Sequence, residues 1–174
     1  MQQAIFTFFL FFRLELKKRS VNESLYKERK VRIQTSLKDE MGILVDVVKQ
    51  GVGTTNCGNA SRRFFSDATT ASRITGIDKS LIERFSFILD ALSSLQDLDF
   101  ENFKVYAAET ANLYNKLYPW YYMPASVHLV LYHGADIMAT LELPIGSFSE
   151  EALESRNKNI RKFRYVRIFH YDDN

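Results

Sequence analysis

Glu154 heads the most chemically suggestive stretch of the chain. It lies in a segment from Ile145 to Arg164, and six Lys/Arg with no acid follow it between Arg156 and Arg167. A carboxylate is a hard oxygen ligand for Mg²⁺ or Mn²⁺, and guanidinium and ammonium groups grip phosphate. The two together are the minimum equipment for metal-assisted work on a phosphodiester. Arg156, Lys158, Arg161, Lys162 and Arg164 would hold a nucleic-acid backbone without reading its sequence. Two metals about 4 Å apart usually need three acids. Glu150, Glu151 and Glu154 lie too close along one helical turn to surround such a pair. The spacing also has a plainer use, because Glu154 and Lys158 stand four apart in the favourable order for a helix ion pair.

His128 and His133 are the second candidates. An H-x4-H spacing is within the range of histidine pairs on zinc. On an ideal helix, five residues rotate the second ring well away from the first. The pair converges only if the helix loosens near Gly134, and otherwise these are two ordinary histidines. Tetrahedral zinc wants two further ligands, and Cys57 is the only cysteine. Arg62 and Arg63, after a Gly/Asn-rich loop, could hold phosphate as arginines beside a helix start do, or could be plain surface charge. The chain carries no phosphate-binding glycine loop, no Gly-x-Ser-x-Gly elbow and no dinucleotide fingerprint. His170 lies in the tail with no plausible partner.

Helices must position these groups. The spacing predicts one long helix over Asn22 to Val48, with Leu25, Ile33, Leu37, Leu44 and Val48 on its apolar side and Gly51 and Gly53 as its stop. Asn59 can cap a short helix through Phe65, and Asp67 caps a segment ending at Gly76. Asp78 caps a helix of about Lys79–Leu95 whose inner face is Leu81, Ile82, Phe85, Ile88, Leu89 and Leu92. Asp99 caps Phe100–Leu117, which Pro119 closes. The aromatic elbow Tyr118–Pro124 reads as a packed corner, with base stacking as the sharper alternative. A helix from Ala125 to about His133 should stop at Gly134, and a short apolar helix should follow to Leu143. Ser147 with Glu150 fits a capping box for the last helix. Few strand signals appear.

With 174 residues, 46% hydrophobic and 14% aromatic, the chain has the length and apolar content of one packed domain or part of one. Its net charge of +2 excludes a histone-like polycation, but the charge is uneven. The region from Arg13 to Lys38 is basic, as is the segment after Glu154. A single cysteine excludes an internal disulfide and fits a reducing compartment. The apolar run Ala4–Phe12 is too short for a bilayer, which needs about 20 residues. It lacks a preceding basic residue and a small-residue cleavage site. Residues 1–19 are therefore set aside as a leader, and no membrane partner is expected.

Three stretches together resemble the C-terminal part of the catalytic core of the V(D)J recombinase large subunit and the related Transib transposases. Glu28-Arg29-Lys30 through Gln34-Thr35-Ser36-Leu37 is similar to a basic helix there. Asn56-Cys57-Gly58-Asn59-Ala60-Ser61-Arg62-Arg63 is similar to an Asn-Gly-Asn-x-Ala-Arg segment. The most specific stretch runs from His128-Leu129-Val130-Leu131-Tyr132-His133 through Ile145-Gly146 to Glu151-x-x-Glu154-Ser155-x-Asn157-Lys158-x-x-Arg161-x-Phe163-Arg164. The likeness covers roughly 22–167 and is densest at its end.

The resemblance implies a mainly α fold over 20–174: the helical C-terminal portion of a ribonuclease-H-like core, incomplete. Glu154 falls on the third acid of an Asp-Asp-Glu triad, a Mg²⁺ or Mn²⁺ ligand in the whole enzyme. His128 and His133 fall on the two histidines of a structural Zn²⁺ site. DNA is the implied partner, the nucleus the implied location, and a homodimer the implied state of the intact family protein. The family's two catalytic aspartates and two zinc cysteines lie upstream of the matched region, and this chain begins after them. Asp39, Asp46 and Asp67 stand in the wrong contexts to replace the acids. The expectation is a transposon-derived, DNA-binding fragment that does not cut DNA alone. The alternative is a non-enzymatic helical module that binds DNA or protein.

Overall fold

The structure, a computed structural model, describes residues 23–49, 53–55, 58–141 and 145–148. The described chain is mainly helical. Helix α1 spans Glu23–Met41, followed by a small antiparallel hairpin, β1 (Val48–Lys49) and β2 (Gly53–Thr54). Then come α2 (Gly58–Ser66), α3 (Ala68–Thr75), α4 (Lys79–Ser93) and α5 (Phe100–Leu117). The last helical run is continuous but changes register twice. It is built from α6 (Ala125–His128), a π turn (Leu129–His133) and α7 (Gly134–Ala139), and a 3₁₀ turn, Ile145–Phe148, follows. No described helix is long and apolar enough to cross a membrane.

Helix α4 is the centre of the packing. Its Leu81, Ile82, Phe85, Ile88, Leu89 and Leu92 recur at three- and four-residue steps and are all buried, as the periodicity predicts. Helices α2, α3 and α5 pack around it. Three aspartates start three helices in the same way. Asp67, Asp78 and Asp99 each turn a side-chain oxygen onto the backbone N–H three residues on, at 3.0, 3.2 and 3.0 Å. Each bond satisfies one of the donors that a helix start leaves open. Gly76, left-handed at φ 71°, closes α3.

Helix α1 ends earlier than its apolar spacing predicts. Gly42 takes φ 64° and donates from its N–H to Lys38 O at 3.0 Å, and Ile43 N–H donates to Leu37 O at 3.0 Å, so a left-handed glycine stops the helix. Beyond it the chain is extended, so burial follows a period of two: Ile43 and Val45 are inside, and Leu44 faces solvent. Leu25, expected on the buried side, is exposed, and Ile33 and Leu37 carry the contact. Side chains tie this corner down. Gln34 Nε2 donates to Val45 O at 3.1 Å, Lys30 pairs with Asp46 at 2.8 Å, and Arg73 of α3 pairs with Glu40.

Helices α4 and α5 are joined by Arg84. Its guanidinium lies 4.1 Å over the Tyr106 ring and donates to the buried Thr110 Oγ1 at 2.8 Å and to Glu109 at 2.8 Å. At the far end of α5, the buried Tyr118 hydroxyl accepts from Asp78 N–H at 2.9 Å. The aromatic elbow is thus half core and half surface. Tyr118 is inside, whereas Trp120 and Tyr122 are 54% and 92% exposed.

Candidate functional site

The α6–α7 run packs on α5 through Val127, Val130, Leu131, Gly134, Ala135 and Met138. Gly134 is not the expected stop. It is helical at φ −58° and buried, and a Cβ there would meet the Phe103 ring at 3.4 Å. The helix runs on through Gly134, and a Cβ there would make no more than ordinary contact with the Phe103 ring. The helix continues, and its loosening takes another form: the π register over Leu129–His133.

That register decides where the histidines go. On an α-helix, five residues turn about 500°, which leaves the second side chain about 140° from the first. A π turn bonds i to i+5, so residues five apart return to nearly the same face. His128 and His133 stand at the two ends of this turn, and their ring centroids lie 5.3 Å apart at 54°. Both residues are exposed. Tyr132 braces the first of them. It stacks on His128 at 4.7 Å and 22°, and its hydroxyl accepts from Asn115 of α5 at 3.4 Å. Asp136, three residues after His133, pairs with Lys104 of α5 at 2.9 Å. The lysine holds the Asp136 carboxyl below its usual range, and the nearby His133 acts in the same direction.

The ring spacing can be set against a metal. Zinc lies about 2.0–2.1 Å from a histidine nitrogen, hence roughly 3.2 Å from a ring centroid in line with it, and two such rings at a tetrahedral angle have centroids roughly 5.2 Å apart. The centroid separation of the pair is compatible with two ligands on one ion and equally with ordinary ring packing. Only half a ligand set is present, for the described residues hold no group of three or more His, Cys, Asp or Glu that could hold a metal ion.

Arg62 and Arg63 are exposed on α2, which packs on α3 and α4 rather than on the histidine segment. Arg62 Nη1 donates to Asn59 Oδ1 at 2.9 Å. Arg63 Nη1 donates to Gly42 O at 3.0 Å, so it also fastens the end of α1. Glu154, Arg156, Lys158, Arg161, Lys162 and Arg164 lie outside the described residues, and so does Cys57. The last described element before them is the 3₁₀ turn, which packs on α4. Gly146 makes that contact: a Cβ built on it would fall 2.3 Å from Ser94 O and 2.6 Å from Ser93 O. The role of Gly146 is close approach to the end of α4.

Tyr132, Asn115, Lys104 and Asp136 were not singled out from the sequence. The one available signal was Tyr132 at four residues after His128, the spacing of helix neighbours. No family model matches the chain, and no curated protein matches it.

Proposed function

We propose that this chain is the helical C-terminal portion of a DDE-type transposase or recombinase core of transposon origin, a nuclear DNA-binding unit without strand-cleaving activity of its own. The observation that supports the reading is the π turn: it draws together the two histidines that the resemblance singles out, with ring centroids 5.3 Å apart, a separation compatible with a shared zinc ion. An ordinary α-helical H-x4-H would have set them apart. On this reading Zn²⁺ bound there would be structural, fastening the α6–α7 run to the upstream part of the core.

Arg156, Lys158, Arg161, Lys162 and Arg164 would carry the DNA backbone, with Arg62 and Arg63 as further phosphate contacts. Glu154 would be one of three acids around Mg²⁺ or Mn²⁺, which supplies the polarised phosphate and activated oxygen nucleophile of in-line strand transfer. Glu154 is the only acid of that triad in the matched segment, and strand cleavage would need the other two.

Anisotropy of a labelled DNA duplex, titrated with the chain at several salt concentrations, tests binding. Seven phosphate contacts give a log–log slope of about −6. Absence of binding at low salt defeats the proposal. A plasmid-nicking assay with Mg²⁺ or Mn²⁺ should stay blank, and nicking abolished by Glu154→Gln would overturn the assignment of inactivity.

A further inference from the structure

We infer that the outer groove between α4 and α5 seats the chain's own basic segment, residues 153–164, as a helix laid along an apolar stripe. Phe87 and Ala91 of α4 and Leu95 just past its end stand four apart and make that stripe. Phe87 is 66% exposed and Leu95 67%, with the half-buried Ala91 between them. Across the groove the Phe87 ring stands edge-on to Tyr106 of α5, at 6.3 Å and 85°, which props it outward. The opposite face of α4 is already buried in the core. A helix apolar on both sides has a second surface to cover.

Charge identifies the occupant. From Phe85 through Phe103 the chain holds four acids and no Lys, Arg or His. Asp90, Asp97 and Glu101 are exposed there, and none of them pairs with a described cation. The neighbouring cations Arg84 and Lys79 are already taken up, by Glu109 at 2.8 Å and Glu83 at 3.5 Å. Such a face suits a basic amphipathic helix and excludes DNA as its direct occupant. The run from Arg156 to Arg167 holds six Lys/Arg and no acid. Leu153, Ile160 and Phe163 stand seven and three apart, the spacing of one helix face, and Arg156 and Arg164 border that face.

The described chain delivers this segment to the groove. Gly146 in the 3₁₀ turn is pressed against the Ser93 and Ser94 carbonyls, one residue from Leu95. Leu153 follows Phe148 by five residues. At 1.5 Å per residue, a helix covers about 15 Å from Leu153 to Phe163, against about 12 Å from Leu95 back to Phe87. The two apolar rows therefore match in length when the segment doubles back along α4. A tethered segment also meets the groove at an effective concentration of about millimolar, which a separate peptide of the same chemistry rarely reaches. Seated so, Lys158 and Lys162 face away from α4, and the phosphate-gripping stretch is ordered before DNA arrives. That last consequence rests on the proposed function; the seating does not.

The test is hydrogen exchange, read by mass spectrometry on the full 174-residue chain without DNA. Peptides covering 153–164 should exchange more slowly than a synthetic peptide of that sequence, and the double variant Phe87→Lys/Leu95→Lys should speed them roughly tenfold or more. Both replaced side chains are exposed, so the amides of α4 itself should stay as protected as in the parent. Phe87→Leu should keep the protection. Asp90→Lys, which leaves the stripe intact, should speed the same peptides severalfold, as should salt at about 1 M. Light scattering should give the single-chain mass throughout. Unprotected 153–164 in the parent, protection unmoved by Asp90→Lys and by the double variant, or protection seen only at doubled mass or only with DNA overturns the inference. A chain with the expected exchange pattern that binds no DNA sinks the proposed function alone.

Discussion

Gly146→Ala should be among the most damaging single-methyl additions in the described chain. The new Cβ would fall 2.3 Å from Ser94 O, 2.6 Å from Ser93 O and 2.8 Å from Ser93 C. All three atoms are backbone at the end of α4, so no side chain can swing aside. Relief requires the 3₁₀ turn and α4 to part by roughly 1 Å, since tolerable carbon–oxygen contacts begin near 3.3 Å. Overpacking a tight site costs about 1–3 kcal/mol, and fixed neighbours place this one near the upper figure. At about 2–4 °C per kcal/mol for a chain of this size, Tm should fall by about 6–12 °C. Differential scanning calorimetry of the two proteins measures it. A further consequence concerns function: Gly146 lies eight residues before Glu154, so prising the turn off α4 should also weaken DNA binding at a temperature where both proteins are folded. A Tm within 2 °C of the parent, with binding intact, would refute the close-packing argument.

Gly42→Ala forces a Cβ into φ 64°, and its only near neighbour is the movable Arg63 guanidinium at 3.0 Å. The expected cost is therefore conformational, about 1–2 kcal/mol by urea denaturation, and an unchanged midpoint would contradict it. Thr110→Val keeps the shape of a fully buried side chain but removes the acceptor that Arg84 Nε uses at 2.8 Å. Leaving that donor unmet should cost about 1–3 kcal/mol, and Arg84→Met in the same background should recover part of it. Asp67 accepts from Thr70 N–H at 3.0 Å, and that bond lowers its pKa from 3.8. A depressed carboxylate stabilises the fold above its unfolded pKa, and the benefit disappears as pH falls through the folded value. Stability should thus decline below about pH 4, and Asp67→Asn should flatten that part of the curve; an identical acid limb in the two proteins would remove Asp67 as a cause.

The parts legible in the sequence are those governed by one residue acting locally. An aspartate three residues ahead of a free N–H names a helix start, which is why Asp67, Asp78 and Asp99 were placed correctly. The inner face of α4 was equally plain, because every third or fourth residue there is apolar with no competing pattern. The end of α1 was not. Gly42 sits inside a run whose apolar spacing continues past it, and only the left-handed turn and the switch to extended chain show that Leu44 points outward. Gly134 misled in the other direction. The helix continues through it, buried against the Phe103 ring, a contact between distant parts of the chain that no local pattern can announce. The histidine spacing was visible, but its meaning depended on a change of helical register that periodicity does not encode.

The π turn has one more consequence, for how the gene tolerates change. A π turn is an α-helix with a single surplus residue, so losing one codon among Leu129 to Tyr132 would restore the ordinary winding and leave both flanks seated on α5 as before. The shortened helix would carry its histidines four apart, a separation at which an α-helix also points them the same way. Among the described helices, this is where a one-residue deletion is absorbed with least harm, while the same loss from α4 would rotate half of the buried face into water.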